Sequence, residues 1–127
     1  MNQKYRMTIA VLAGAALGAA VVQGLHAQAK PPVYTVTEAD VTNLDGYMKE
    51  YVPVVQPLVK KAGGTLIAAS VNVTAITGAA PKRATINRWN SLEAAQAFYN
   101  SAENKAAQAI GDKFATFRRF AVEGTPQ

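Results

Sequence analysis

An α+β fold with the element order β-α-β-β-α-β is what the patterning of this 127-residue chain predicts. Three observations carry the expectation. A β-branched run without a breaker occupies 33–41, two stretches place apolar residues at three- and four-residue steps, and further β-prone runs lie between and after them.

Val33 to Val41 reads Val-Tyr-Thr-Val-Thr-Glu-Ala-Asp-Val and follows Pro31-Pro32, which force an extended entry, so it is the first strand. Asn43 is placed to cap a helix, with Asp45 in the first turn where a negative charge suits the helix dipole. Leu44, Tyr47, Met48, Tyr51, Val55, Leu58, Val59 and Ala62 then recur at helical spacing, which turns one apolar stripe to a core. Pro53 and Pro57 predict a kink or break between Tyr51 and Gln56. Lys60-Lys61 supply a cationic last turn, and Gly63-Gly64 the left-handed stop.

Thr65 to Thr77 holds two β-prone runs, expected to form one long strand bent or bulged near Ser70. Residues 78–82 read as a hairpin loop that returns the chain into a third strand, Arg83 to Trp89. Asn90-Ser91-Leu92-Glu93 resembles a capping box and opens a helix carrying Leu92, Ala95, Phe98 and Tyr99 on one side. Ser101 restarts a second short helix, Ala102 to Ile110, closed by Gly111-Asp112. The last strand is Phe114 to Glu123.

This order is the split-βαβ, ferredoxin-like arrangement. An antiparallel sheet with helices on one face keeps its other face polar where that face meets water. The last strand departs from that rule: Phe114, Phe120 and Val122 alternate with Ala115, Phe117 and Ala121, so both sides are apolar. The sequence therefore predicts a homodimer in which a second copy covers the open face, giving a dimeric α/β barrel. A domain of about a hundred residues without cysteine has no disulfides to compensate for a small core, which points the same way.

Residues 1–29 read as a secretory signal peptide: Lys4 and Arg6, an apolar stretch from Met7 to Val22, then Ala27-Gln28-Ala29. Cleavage after Ala29 fits best and after Ala27 is the alternative. Either leaves a single domain, 30–127, in the periplasm or outside the cell, and the Ala-rich leader is of bacterial type. The rival reading is a retained anchor, for which Gly14 and Gly18 supply a helix-pairing spacing, although the apolar run is short for a membrane span. Membrane association is expected only in that case.

Removal of the leader takes two of the thirteen basic residues and none of the eight acidic ones, lowering the net charge from +5 to +3. It also takes His26, the chain's one histidine. Lys60-Lys61, Lys82-Arg83 and Arg118-Arg119 are pairs rather than clusters, so nucleic acid is not expected as a partner. Without histidine or cysteine, neither a metal site nor a resident cofactor is expected. Phosphate-loop, zinc-protease, nucleophile-elbow and dinucleotide motifs are absent from the sequence.

Several segments together resemble the domain-of-unknown-function family 1330, within the dimeric α/β-barrel superfamily. They are Val41-Thr42-Asn43-Leu44-Asp45-Gly46-Tyr47, Gln56-Pro57-Leu58 with Ala62-Gly63-Gly64-Thr65, and Arg88 to Ala95 with Phe98-Tyr99-Asn100-Ser101 and Glu103. The resemblance spans Pro32 to Gly124 and implies a ferredoxin-like homodimer without an established activity. Where relatives carry Arg-Gly-Gly in the second strand, this chain has Ala69-Ser70-Val71, which implies the loss of a cation from any pocket there.

The ligand-pocket candidates are Tyr47, Tyr51, Arg88, Tyr99 and Glu103; no catalytic residue is assigned. Tyr47 and Tyr51 lie one turn apart on the first helix, where core packing with a polar tip is the competing reading. Arg88 and Trp89 point to opposite faces of their strand, and an ion-pair role competes for Arg88. Glu103 follows Ser101 at a helix start, where a capping role competes. Of Arg118 and Arg119, at most one can face a pocket.

Two functions are consistent with these residues. One is an exported homodimer binding a small apolar or aromatic molecule in a cleft between sheet and helices. The other is a small cofactor-free enzyme of oxygenase or isomerase type, which needs only a shaped pocket and a few polar groups converging in it.

Overall fold

Strand β1, Val33–Val41, runs up the middle of a four-stranded sheet, where its β-branched side chains fill both sides of the pleat. The computed structural model describes residues 30–126, and the expected signal peptide lies outside the described residues. β1 pairs antiparallel with β3, Arg83–Trp89, on one side and with β4, Ala115–Glu123, on the other. β2, Thr65–Ser70, adds antiparallel outside β3, so the order β2-β3-β1-β4 is the ferredoxin-like one.

Helix α1, residues 44–61, has three parts: Leu44–Gly46, a wider π turn at Tyr47–Tyr51, and Val52–Lys61. The Asn43 side chain accepts the Gly46 N–H at 3.0 Å and caps its start. Where the sequence predicts a kink or break near Tyr51 to Gln56, the helix is not broken, and its irregularity is the π turn at Tyr47–Tyr51. The Val52 N–H instead reaches back five residues to the Tyr47 carbonyl, and Pro53 falls in the first turn of the segment that follows, where a missing donor costs little. Pro57 is carried inside that segment without interrupting it.

α1 ends as expected at Gly63-Gly64. The Gly63 N–H bonds the Lys60 carbonyl at 3.1 Å and the Gly64 N–H the Val59 carbonyl at 2.9 Å, with Gly63 at φ +97°. Gly64 also permits close packing, since a Cβ there would lie 2.6 Å from Val59 Cγ1 and 2.9 Å from the Trp89 ring.

β2 is shorter than expected, and its irregularity lies between Leu66 and Ala68 rather than near Ser70. Residues 71–76 form no strand, because their partner in a hairpin would be the segment holding Gly78 and Pro81, and proline cannot donate to a ladder. The Ser70 hydroxyl accepts the Asn72 N–H at 2.9 Å and turns the chain away there.

Helices α2, Leu92–Asn100, and α3, Ala102–Gly111, follow β3. Ser91 caps α2 through the Ala94 N–H at 3.1 Å; Glu93 sits one position short of the place a reciprocal capping box needs. Ser101 serves both helices, donating to the Phe98 carbonyl at 2.7 Å and accepting from the Asn104 N–H at 3.1 Å.

The helices cover one face of the sheet, onto which Val33, Thr35, Thr37, Ala39 and Val41 all turn buried side chains. The other face carries Tyr34, Val36, Ile86, Phe120 and Val122, and the last two are 48% and 49% exposed. Glu38 and Arg118 pair directly across that face. Phe114, expected on that side, lies just before β4 and packs into the core instead. The core has two parts, one around Tyr47, Tyr51 and Ala107 and one around Trp89, Ala95 and Phe98, with Val55 and Leu58 touching both. Among the described residues no helix is long and apolar enough to cross a membrane.

Candidate functional site

A cleft of about 730 Å³ opens between α1 and the helix-covered face of the sheet. Its roof is apolar, with Val52, Val55 and Val59 from α1 and Phe98 from α2. Its floor is polar: Thr37 from β1, Arg83, Thr85 and Asn87 from β3, and Arg119 from β4. Strand alternation explains the floor, since Arg83, Thr85 and Asn87 share the phase of the buried Trp89, and Thr37 pairs directly with Thr85 and Arg119.

Arg83 is only 6% exposed, its guanidinium lies 5.5 Å from the centre of the Tyr47 ring, and its Nε has no hydrogen-bond partner. Asn87, 5% exposed, likewise has an unpartnered Oδ1. Arg119 is better satisfied: it donates to the Gln108 side-chain oxygen and to the Tyr51 hydroxyl at 3.4 Å, and sits 4.2 Å over the Phe117 ring. The charged side chains lining the cleft are Lys60, Arg83 and Arg119, all cationic; among the described residues none of the lining is acidic.

Burial pushes the Tyr51 phenol up to about 12, against the opposing pull of Arg119. Tyr47 is also raised by burial, with Arg83 opposing. Both hydroxyls are therefore protonated donors at neutral pH, not bases. Tyr99 donates to the Thr35 hydroxyl at 3.4 Å, as the Trp89 indole N–H does at 2.9 Å. Tyr99, Asn104 and Arg119 also line a second cleft of about 490 Å³ beside α2 and α3, so they form the partition between the two spaces.

Of the residues singled out from sequence, Tyr47, Tyr51 and Tyr99 line the main cleft. Arg88 and Glu103 do not. Arg88 is exposed on the opposite face of the sheet, between Tyr34 and Thr65 in register, because it is out of phase with Trp89. Glu103 lies in the exposed first turn of α3, 3.8 Å from Lys61 Nζ, at a helix start already capped by Ser101. Trp89 belongs to the core. Sequence reasoning missed Arg83 and Asn87; the signal that could have found them is strand alternation, since both share the phase of Trp89, which the structure buries in the core. Arg119 rather than Arg118 turns inward. The arginines at the cleft floor come from β3 and β4. Among the described residues no group of three or more metal-ligating side chains comes together.

The model of the family described as domain of unknown function (DUF1330) matches residues 32–125. The chain belongs to that family. No curated protein matches it. A protein of unknown function from Rhodopseudomonas palustris is similar in structure, with a TM-score of 0.62 at 10% identity over 86% of this chain and 94% of that one. A cofactor-independent oxygenase from Streptomyces nogalater superimposes with a TM-score of 0.58 at 8% identity over 76% and 96%. A dimeric protein of unknown function and ferredoxin-like fold from Bacteroides fragilis gives 0.53 at 13% identity over 73% and 96%. These likenesses concern the fold.

Proposed function

Starting from membership of the DUF1330 family, we propose that the protein is an exported homodimer that binds a small, largely aromatic molecule in the cleft of each subunit. The cleft itself carries this reading: a space of about 730 Å³ roofed by aliphatic side chains and walled by Tyr47, Tyr51, Phe98 and Tyr99 suits a flat apolar body. Its polar floor supplies the few fixed groups that orient such a ligand. Export rests on the leader at 1–29, and pairing on the apolar open face together with the dimeric neighbour from Bacteroides fragilis.

Native mass spectrometry of protein purified from the periplasm tests these points together. The expected spectrum shows a chain beginning at Lys30, twice the subunit mass, and a retained small molecule. A monomer that carries nothing and binds none of a panel of aromatic compounds overturns the cleft and the pairing, while a chain that keeps residues 1–29 overturns the leader reading alone.

The second reading is a cofactor-free enzyme, favoured by the fold shared with the oxygenase from Streptomyces nogalater. The cleft offers donors, in Tyr47, Tyr51 and two arginines, but neither carboxylate nor imidazole to act as base among its described lining. The chemistry open to it is stabilisation of charge on a substrate that ionises readily by itself. Conversion of the retained molecule on incubation with the protein in air, followed by mass spectrometry, distinguishes this from binding alone.

A further inference from the structure

We infer that the cleft selects an aromatic acid, with Arg83 as the anchor for its carboxylate and Asn87 as acceptor for a hydroxyl at the far end of the ring system. The inference rests on the ligand-cleft reading above and specifies its ligand class. Arg83 sets a buried guanidinium at the cleft floor. A buried cation is tolerable only with an opposite charge or good hydrogen bonds, and among the described residues Arg83 has no salt bridge and its Nε donates to nothing. Lys60 and Arg119 add to the positive field, and no acidic side chain of the described lining offsets it.

The two arginines differ in a way that assigns the anchor. Arg119 is engaged by Gln108, Tyr51 and the Phe117 ring, whereas Arg83 is engaged only through Tyr47, at its ring and hydroxyl, and its Nε is left without a partner. A guanidinium with free in-plane donors is the group best matched to a carboxylate. The unpartnered Asn87 Oδ1 lies four residues along the same strand on the same face, about 13 Å away between Cα atoms by strand rise. A fused-ring acid is the ligand class of a length to reach from one group toward the other. A donor on the ligand at that end satisfies the second orphan.

Isothermal titration calorimetry with 6-hydroxy-2-naphthoate, 2-naphthoate and the neutral 2-naphthamide tests the assignment. The hydroxy acid is expected to bind best, and 2-naphthoate about tenfold or more tighter than the amide. Arg83→Met should remove that preference while leaving the amide within about twofold, and should raise the melting temperature of the ligand-free protein by about a few degrees, because an unpaired buried charge is gone. A purely structural arginine would lower it. Equal affinity of the native protein for acid and amide overturns the inference and leaves the cleft reading standing, and needs no variant that folds. Parallel weakening of both ligands by Arg83→Met, or a lowered melting temperature, also overturns it. If none of the three binds the native protein, the inference falls, and the retained mass in the native spectrum decides the cleft reading separately.

Discussion

Tyr51 shows how one side chain here belongs both to the core and to the cleft. Its ring packs 5.1 Å from Tyr47 and 5.5 Å from Phe117 between centroids, while its hydroxyl meets Arg119 at the cleft wall. The phenol ionises near 10 in an unfolded chain and at about 12 in the folded one, so above pH 10 the folded state holds a proton that the unfolded state has lost. Its contribution to stability is fully present below pH 10 and is lost as the pH rises through 12. Two pH units of displacement correspond to about 2–3 kcal/mol. Urea midpoints measured between pH 9 and 12 should fall more steeply for the native protein than for Tyr51→Phe. Parallel curves would show that this phenol is not buried in the folded protein. Arg83 Nε and Asn87 Oδ1 are the counterpart: polar atoms buried without a hydrogen-bond partner, which a core selected for stability alone would replace.

Ser101 makes the clearest case among the secondary elements, because one hydroxyl closes α2 and opens α3. Ser101→Ala should lower stability by about 1–2 kcal/mol, measurable by urea denaturation, with a loss of helical circular dichroism in the transition region rather than in the native baseline. A change below about 0.5 kcal/mol would mean that the two helices are positioned by packing alone. Such caps are readable in the sequence because their geometry is local: Asn43, Ser101 and Gly63-Gly64 act where the sequence places them. The π turn at Tyr47–Tyr51 and the early end of β2 were not readable, because each depends on a neighbour. Pro53 is accommodated by shifting a hydrogen bond upstream, and a β-prone run at 71–76 stays unpaired because the segment opposite it contains Pro81. The site divides in the same way. Tyrosines on the first helix announced themselves by spacing, whereas the polar floor required following the Trp89 phase back along β3 to Asn87 and Arg83.

The whole molecule leaves one face of its sheet unaccounted for by a single chain. Tyr34, Val36, Ile86, Phe120 and Val122 lie together on it, and about half the surface of each of the last two faces outward. A patch of this kind marks an interaction surface, and an α+β layer with one apolar side uncovered is incomplete by itself. Two copies related by a twofold axis would bury the same residues on both, so any substitution there counts twice. About half of Phe120 is still exposed, so pairing buries that half for about 1 kcal/mol per copy, and losing two corresponds to about 2 kcal/mol, or roughly thirtyfold in the dissociation constant, before the added cost of a lysine charge. Phe120→Lys is therefore expected to turn a dimer into a monomer in sedimentation equilibrium at micromolar concentration. Its effect on the cleft should be small, because Phe120 faces away from the floor that Arg83 and Asn87 define. A native chain that sediments as a monomer at that concentration would refute the pairing, and the exposed Phe120 would then need a different partner.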